Sequence, residues 1–310
     1  MRIPKLFCIT AAAAIITLAS CSSDDNGANS PSENLNKNTV TTNINVGRLE
    51  FPHTKGGGSL VITHSTTDRY GTNYSIEWDT QLKSQRWSCY QLYKGFNGDA
   101  GRWQGDGTPP YGTPISSYTG NELYPADPQL PNEHYWDIDY FVRSGFDHGH
   151  ICPSADRQYS TAANKQTFYL TNMQPQYNKF NAGIWAKMEK QVRTWALQSG
   201  TDTLFVCKGG TIDSGTNILQ RIGNKLIVPK YFFMALLSKK GETLKTIGFW
   251  VKNENIDRSA DNLKDYVVSI GELERLTGID FFCNLPDQEE QRLQNMAKEN
   301  ILKAWGLNSP

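Results

Sequence analysis

The 310-residue chain has no excess of charge of either sign: 31 Lys and Arg stand against 31 Asp and Glu. That balance excludes a protein coated in basic charge that holds nucleic acid through bulk electrostatics. No interior apolar run reaches the roughly 18 residues that a membrane span needs. The chain also lacks an internal repeat and any Cys-x-x-Cys pair, and the lack of such a pair argues against a zinc ribbon. Cysteine is scarce, at six residues, whereas apolar residues make up 38% and aromatics 11%, with eight Trp. This suffices for a packed core and is too much for a disordered chain. The length accommodates one large domain or two ordinary ones.

The N-terminus differs in character from the rest. Arg2 and Lys5 make a short positive region, and Cys8 to Leu18 is an apolar stretch of signal-peptide length. Its end, Leu18-Ala19-Ser20-Cys21, resembles the lipobox of bacterial lipoproteins, which implies cleavage before Cys21 and acylation of that residue. Each acyl chain contributes about 0.8 kcal/mol per buried CH₂, so several anchor a soluble domain firmly. The acidic start Ser22-Ser23-Asp24-Asp25 is similar to surface-export signals of some bacterial groups. The expectation is a lipid-anchored protein of the bacterial envelope, at the outer membrane or cell surface. Removing residues 1–20 takes away two basic and no acidic residues, so 31 − 2 = 29 basic face 31 acidic, a net charge of −2. Cys89, Cys152, Cys207 and Cys283 then remain in the domain. In an oxidising compartment they allow up to two disulfides, with buried free thiols as the alternative.

Three segments follow: a signal peptide at 1–20, Cys21 with a polar tether to residue 44, and a single domain at 45–310. Gly95 to Pro131, dense in Gly, Pro and Tyr, reads as long surface loops. Strand-like runs occupy Ser59–Thr63, Trp87–Tyr93, Thr203–Cys207, Leu226–Leu237 and Lys245–Val251, and helical patterns occupy Ala182–Gln198 and Asp287–Trp305. Strands and helices mix without βαβ alternation, which predicts an α+β fold. His53, His64 and His134 sit in polar contexts and read as surface residues.

The chemistry concentrates between Tyr140 and Arg193. Asp147-His148-Gly149-His150 comes first, then Asp156-Arg157, Asn172, Asn181, Glu189 and Arg193. Residues 141–193 hold seven Lys/Arg against three Asp/Glu, a local +4 that suits a phosphate-bearing substrate. At about 100° per residue, Ile184, Trp185, Met188, Val192 and Trp195 fall within about 60° of Asn181 and make an apolar stripe. Glu189 and Arg193 stand on one flank of that stripe, one turn apart.

The order Asp147-His148-Gly149-His150, then Asn181, then Glu189 resembles the DNA/RNA non-specific endonuclease family, the ββα-metal nucleases related to the Serratia secreted nuclease. Supporting stretches are Tyr124 to Pro131, the run before Pro229 and Glu274 to Phe282, so the likeness covers most of residues 75–285. The resemblance implies a central antiparallel sheet flanked by helices, carrying a ββα-metal (His-Me finger) motif. It implies a Mg²⁺-dependent hydrolase of DNA and RNA, with Mn²⁺ as a substitute. His150 corresponds to the general base, Asn181 to the direct metal ligand and Glu189 to a carboxylate acting on the metal through water. Arg193 and Asn172 match further active-site residues, and Asp147 is expected to fix loop geometry. The motif departs from the family at His148, where an Arg is usual, and a further family Arg appears as Gln91. His148, Arg143 and Arg157 are the phosphate-binding candidates, with Arg86 as another source of charge. His148, His150 and Cys152 also alternate like zinc or copper ligands, though no distant fourth ligand accompanies them. The departure at His148 leaves a second function open, a catalytically silent surface lipoprotein that binds nucleic acid or glycan. Tyr111, Tyr118 and Tyr124 are available to stack on bases.

Overall fold

A computed structural model of the protein describes residues 34–68, 71–94, 96, 98–105 and 124–308. The lipobox with Cys21, and Tyr111 and Tyr118, lie outside the described residues. In chain order the strands are β1 (Ser59–Ser65), β2 (Thr72–Asp79), β3 (Ser84–Tyr93), β4 (Asp147–His150), β5 (Met173–Gln176), β6 (Thr203–Gly210), β7 (Ile218–Ile222), β8 (Leu226–Pro229), β9 (Tyr231–Lys240), β10 (Thr243–Lys252) and β11 (Val267–Val268). The helices are α1 (Thr161–Gln166), α2 (Ala186–Leu197), α3 (Ile270–Thr277), α4 (Asp287–Gln294) and α5 (Lys298–Ala304). Seven strands form an antiparallel sheet in the order β1-β2-β3-β6-β9-β10-β11, and β4-β5 and β7-β8 form two small antiparallel ladders beside it. The fold is α+β, as expected.

Both faces of the large sheet are covered, because successive strand residues point to opposite sides. Tyr74, Ile76, Tyr90, Leu92, Leu204, Val206, Phe232 and Met234 pack on one side with Trp185, Met188, Val192 and Trp195 of the α2 region. Trp87, Cys89, Phe205, Cys207, Phe233 and Ala235 pack on the other with Phe51, Leu273, Phe281 and Leu293. β2 has no sequence counterpart among the expected strands. Its polar row, Asn73, Ser75 and Glu77, is buried instead of facing water.

Two expected elements divide. The run Leu226–Leu237 becomes β8 and β9, parted after Pro229, whose missing N–H cannot continue a ladder. The pattern Asp287–Trp305 becomes α4 and α5 because their apolar residues serve different cores: Leu293 enters one, Ile301 and Trp305 the other. His64 is fully buried, contrary to the surface position expected from its polar context. Its Nε2 lies 2.9 Å from Asp127 Oδ2, and that bond and charge hold the Asp127 carboxyl below its usual range despite burial, which works the other way. The pair fastens the segment carrying Tyr124 to β1.

Cys89, Cys152, Cys207 and Cys283 are all buried free thiols. The chain is bound to the body from Asn34 onward, ahead of the boundary expected at 45. Asn34 Nδ2 donates to the Cys283 and Leu285 carbonyls, and buried Asn38 Nδ2 donates to those of Val46 and Pro52. At Gly209 on β6, a Cβ would meet the Arg86 carbonyl at 2.6 Å and Trp87 Cα at 3.2 Å. Gly209→Ala is therefore expected to cost about 1–3 kcal/mol through overpacking against backbone, read as a lowered melting temperature; an unchanged melt would refute this account of strand packing.

Candidate active site

β4 runs antiparallel to β5 and places its residues in two rows. Asp147 pairs with Gln176, Gly149 with Gln174 and His150 with Met173. Gly149 is required there, since a Cβ would come within 2.3 Å of the buried Gln176 side chain. Asp147, His148 and His150 line a cavity of about 490 Å³, together with Arg102, Tyr124, Asn181 and Glu189. Asn181 and Glu189 arrive from the other wall. The turn Phe180–Trp185 is wound wider than an α-helix and broken at Gly183 (φ −97°, ψ −108°) before α2 begins. Asn181 thus sits one turn ahead of the regular helix, and Glu189 faces the same cavity from within it.

Asp147 orients the carboxamide of Asn181. Its Oδ2 accepts from Asn181 Nδ2 at 2.9 Å and from Asn178 Nδ2 at 3.0 Å. With the amide nitrogen bound, Asn181 Oδ1 accepts from no described side chain. Glu189 Oε1 accepts from Lys208 Nζ at 2.6 Å. Burial pushes the Glu189 carboxyl up, and Lys208 offsets part of that rise. His150 is half-buried, and its Nε2 is enclosed without a hydrogen-bond partner. Burial, with the charges of Arg102, His148 and Lys208, pushes His150 down to about 3, so the ring is neutral at physiological pH. A neutral imidazole has an unused nitrogen that can accept a proton, and it shares this cavity with an oriented carboxamide and a carboxylate.

A model of the DNA/RNA non-specific endonuclease family matches residues 59–288, a span that includes every one of these side chains. The chain belongs to this family. A nuclease of Nostoc sp. is 30% identical over 72% of this chain and 77% of its own length. The mitochondrial nuclease of Saccharomyces cerevisiae is 30% identical over 56% of this chain and 57% of its own length, and the mitochondrial nuclease EXOG of Danio rerio is 28% identical over 71% and 62%. The chain thus spans less than two thirds of either mitochondrial relative. A crystal structure of EndoG bound to EndoGI superposes with a TM-score of 0.58 over 79% of this chain and 94% of that one, at 19% identity, a likeness of fold.

Several residues expected in this family site stand elsewhere. Asn172 is fully buried, and its carboxamide is consumed: Oδ1 accepts from Cys152 N and Ser88 Oγ, while Nδ2 donates to the Cys152 and Thr167 carbonyls. It belongs to the frame of the site and cannot touch a substrate. Arg157 is also buried, over the Tyr90 ring and bonded to the Asp156 and Gln91 carbonyls. Arg86 is held by Asp79 and Asp213, and Gln91 by Glu50. Arg143 is exposed in a left-handed turn (φ 60°) and does not line the cavity. Arg193 pairs with Asp156 at 2.9 Å behind the cavity wall. His148 lines the cavity but is sandwiched between Tyr124, at 3.8 Å, and Phe141, at 4.4 Å, with Nε2 bound to Asp139 at 2.9 Å. The phosphate contact expected of His148 therefore gives way to a wall role, and Tyr124 is occupied by that stack. Cys152 is buried and its thiol is pushed up to about 12 by burial, while among the described residues no three His, Cys, Asp or Glu converge as metal ligands. The zinc or copper alternative therefore finds no ligand set among the described residues.

Two site residues escaped the sequence reading. Arg102 lines the cavity and stands 4.7 Å over the Phe168 ring. It lies in the Gly- and Pro-rich stretch, where no periodicity marks it. Lys208 lies on β6, where the apolar alternation Leu204, Val206 makes a charged third member conspicuous.

The depressed His150 pKa has a sign-definite consequence. Below about pH 6.5 the unfolded chain takes up a proton on His150 that the folded chain refuses until about pH 3, so this residue destabilises the fold progressively as pH falls between those values. His150→Asn is expected to lose less stability than the parent between pH 7 and 4 in denaturant melts. Parallel pH curves for the two proteins would contradict the burial assigned to this ring.

Proposed function

We propose that the chain is a Mg²⁺-dependent endonuclease that hydrolyses phosphodiester bonds of both DNA and RNA. The reading rests on one observation above all, the unpartnered His150 Nε2 sharing a cavity with the free oxygen of Asn181. The donor set fits the metal: Mg²⁺ prefers oxygen, sheds water reluctantly and is held by few protein groups. Asn181 Oδ1 would hold it directly and Glu189 through water. When bound, Mg²⁺ supplies positive charge to the phosphate and to the departing oxygen.

The remaining chemistry belongs to the chain. His150 Nε2 takes a proton from a water poised at phosphorus, and the new P–O bond forms as the bond to the 3′ oxygen breaks. The products are a 5′-phosphate and a 3′-hydroxyl, the leaving oxygen taking its proton from solvent. Arg102 faces the same cavity with a fork of donors suited to phosphate oxygens. Asp147 keeps the Asn181 oxygen directed inward. The groups this reaction uses, phosphate and water, are common to DNA and RNA.

His150→Ala is expected to lower plasmid and RNA degradation in Mg²⁺ by at least about 100-fold, the scale of a lost general base; undiminished cleavage would sink the assignment. Asn181→Ala should shift the Mg²⁺ requirement to higher concentration, and an unchanged titration would remove its role as ligand. Binding without cleavage, seen as a gel shift in both Mg²⁺ and Mn²⁺, would favour a silent nucleic-acid binder.

We further propose that the domain is lipid-anchored through Cys21 at the bacterial envelope, a reading supported by the lipobox-like Leu18 to Cys21. Cys21→Ala is expected to move the protein from the membrane to the soluble fraction of its host, and continued membrane retention would argue for a different anchor.

A further inference from the structure

A second charged group stands behind the reacting centre. On β6 the residues that face α2 are Leu204, Val206 and then Lys208, whose side chain is 1% exposed. A buried ammonium without a partner is unfavourable, so its environment must account for it. Lys208 Nζ lies 2.6 Å from Glu189 Oε1 and 4.7 Å from the centre of the Trp185 ring. On one side, then, it is held by a carboxylate and on the other by an aromatic face. Glu189 Oε2 accepts from no described side chain, and Glu189 lines the cavity.

We propose that Lys208 is a positioning residue for Glu189: from beneath the cavity floor it holds one carboxylate oxygen so that the other faces the site where a metal's waters would lie. This rests on the reading of Glu189 given above. The geometry explains why the ammonium is buried and not replaced by an apolar residue in the same row. A free Glu on α2 rotates among several rotamers, and only some of them point Oε2 into the cavity. A salt bridge fixed to the central sheet selects among them without occupying the second oxygen. The neighbouring strand residue, Ser88, pairs in register with Lys208 and hydrogen-bonds Asn172. The two supports of the site, one under the helix and one under β4, therefore rise from adjacent positions on the sheet.

The test is a double-mutant cycle on the soluble domain, using Lys208→Met, Glu189→Gln and the double variant. Two quantities are read: Mn²⁺ affinity by calorimetry without substrate, and kcat and KM on DNA. Lys208→Met is expected to weaken Mn²⁺ binding and to lower kcat by about 10-fold or more, the scale for a group that orients a metal-binding residue, with KM little changed. In the Glu189→Gln background the same substitution should have no further effect on either quantity. Where Lys208→Met alone does not fold, the comparison of Lys208→Met/Glu189→Gln with Glu189→Gln decides, since removing both charges leaves neither buried alone. Equal values for those two proteins support positioning through Glu189. A further about 10-fold loss in the double variant, or a Lys208→Met single variant within twofold of the parent, overturns it. Failure of the parent to bind Mn²⁺ or cleave DNA at all would overturn the underlying reading of Glu189 instead.

Discussion

The site depends on how the β4–β5 ladder is tied to the large sheet, and the knot is the carboxamide of Asn172. Its four hydrogen bonds reach Ser88 on β3, the Cys152 backbone just after β4, and the Thr167 carbonyl after α1. A satisfied hydrogen bond contributes only about 0.5–1.5 kcal/mol net, but a buried polar group left unpaired costs about 1–3 kcal/mol. Breaking one of these bonds would leave a buried polar group unpaired. The network ties the β4 end that carries His150 to the sheet on which α2 rests.

Polar groups recur in the interior for the same reason. Glu77 with Arg86, His64 with Asp127 and Lys208 with Glu189 each place charge or hydrogen-bonding capacity where apolar residues would pack more easily. Buried pairs of this kind contribute weakly to stability, though removing one partner leaves a costly buried charge. His64 and Asp127 anchor the segment whose Tyr124 stacks on His148. Lys208 anchors a carboxylate. The core of this protein is thus partly an alignment device, and the apolar layers around it supply the stability.

Legibility in the sequence followed the physical signal. The α2 stripe was readable because five apolar residues repeat with a helical period and all are buried as that period requires. His150, Asn181 and Glu189 were readable because their spacing is linear along the chain, and the fold brings them to one cavity. Arg102 was not, because its place is set by packing on Phe168 and not by any local pattern. Asn172 and Arg157 misled for a different reason: residue type alone does not distinguish a group facing substrate from one whose hydrogen bonds are spent on backbone. His148 combines both cases, being placed in the cavity wall by the motif yet silenced by Tyr124, Phe141 and Asp139. The division of Asp287–Trp305 into α4 and α5 follows from two cores on opposite faces of one sheet, a fact of topology that periodicity cannot carry.

The N-terminal strand of contacts has a mechanical meaning. Asn34 and Asn36 fasten the chain to Cys283, Leu285, Asp280 and Glu290, on the side of the sheet packed by α3 and α4. The cavity, α2 and β4 lie with the opposite layer. A pull applied at Asn34 is therefore taken up first by those side-chain bonds, on the layer packed by α3 and α4. The sheet stands between that load and the reacting groups, so a load entering at Asn34 meets the back layer before it reaches the front.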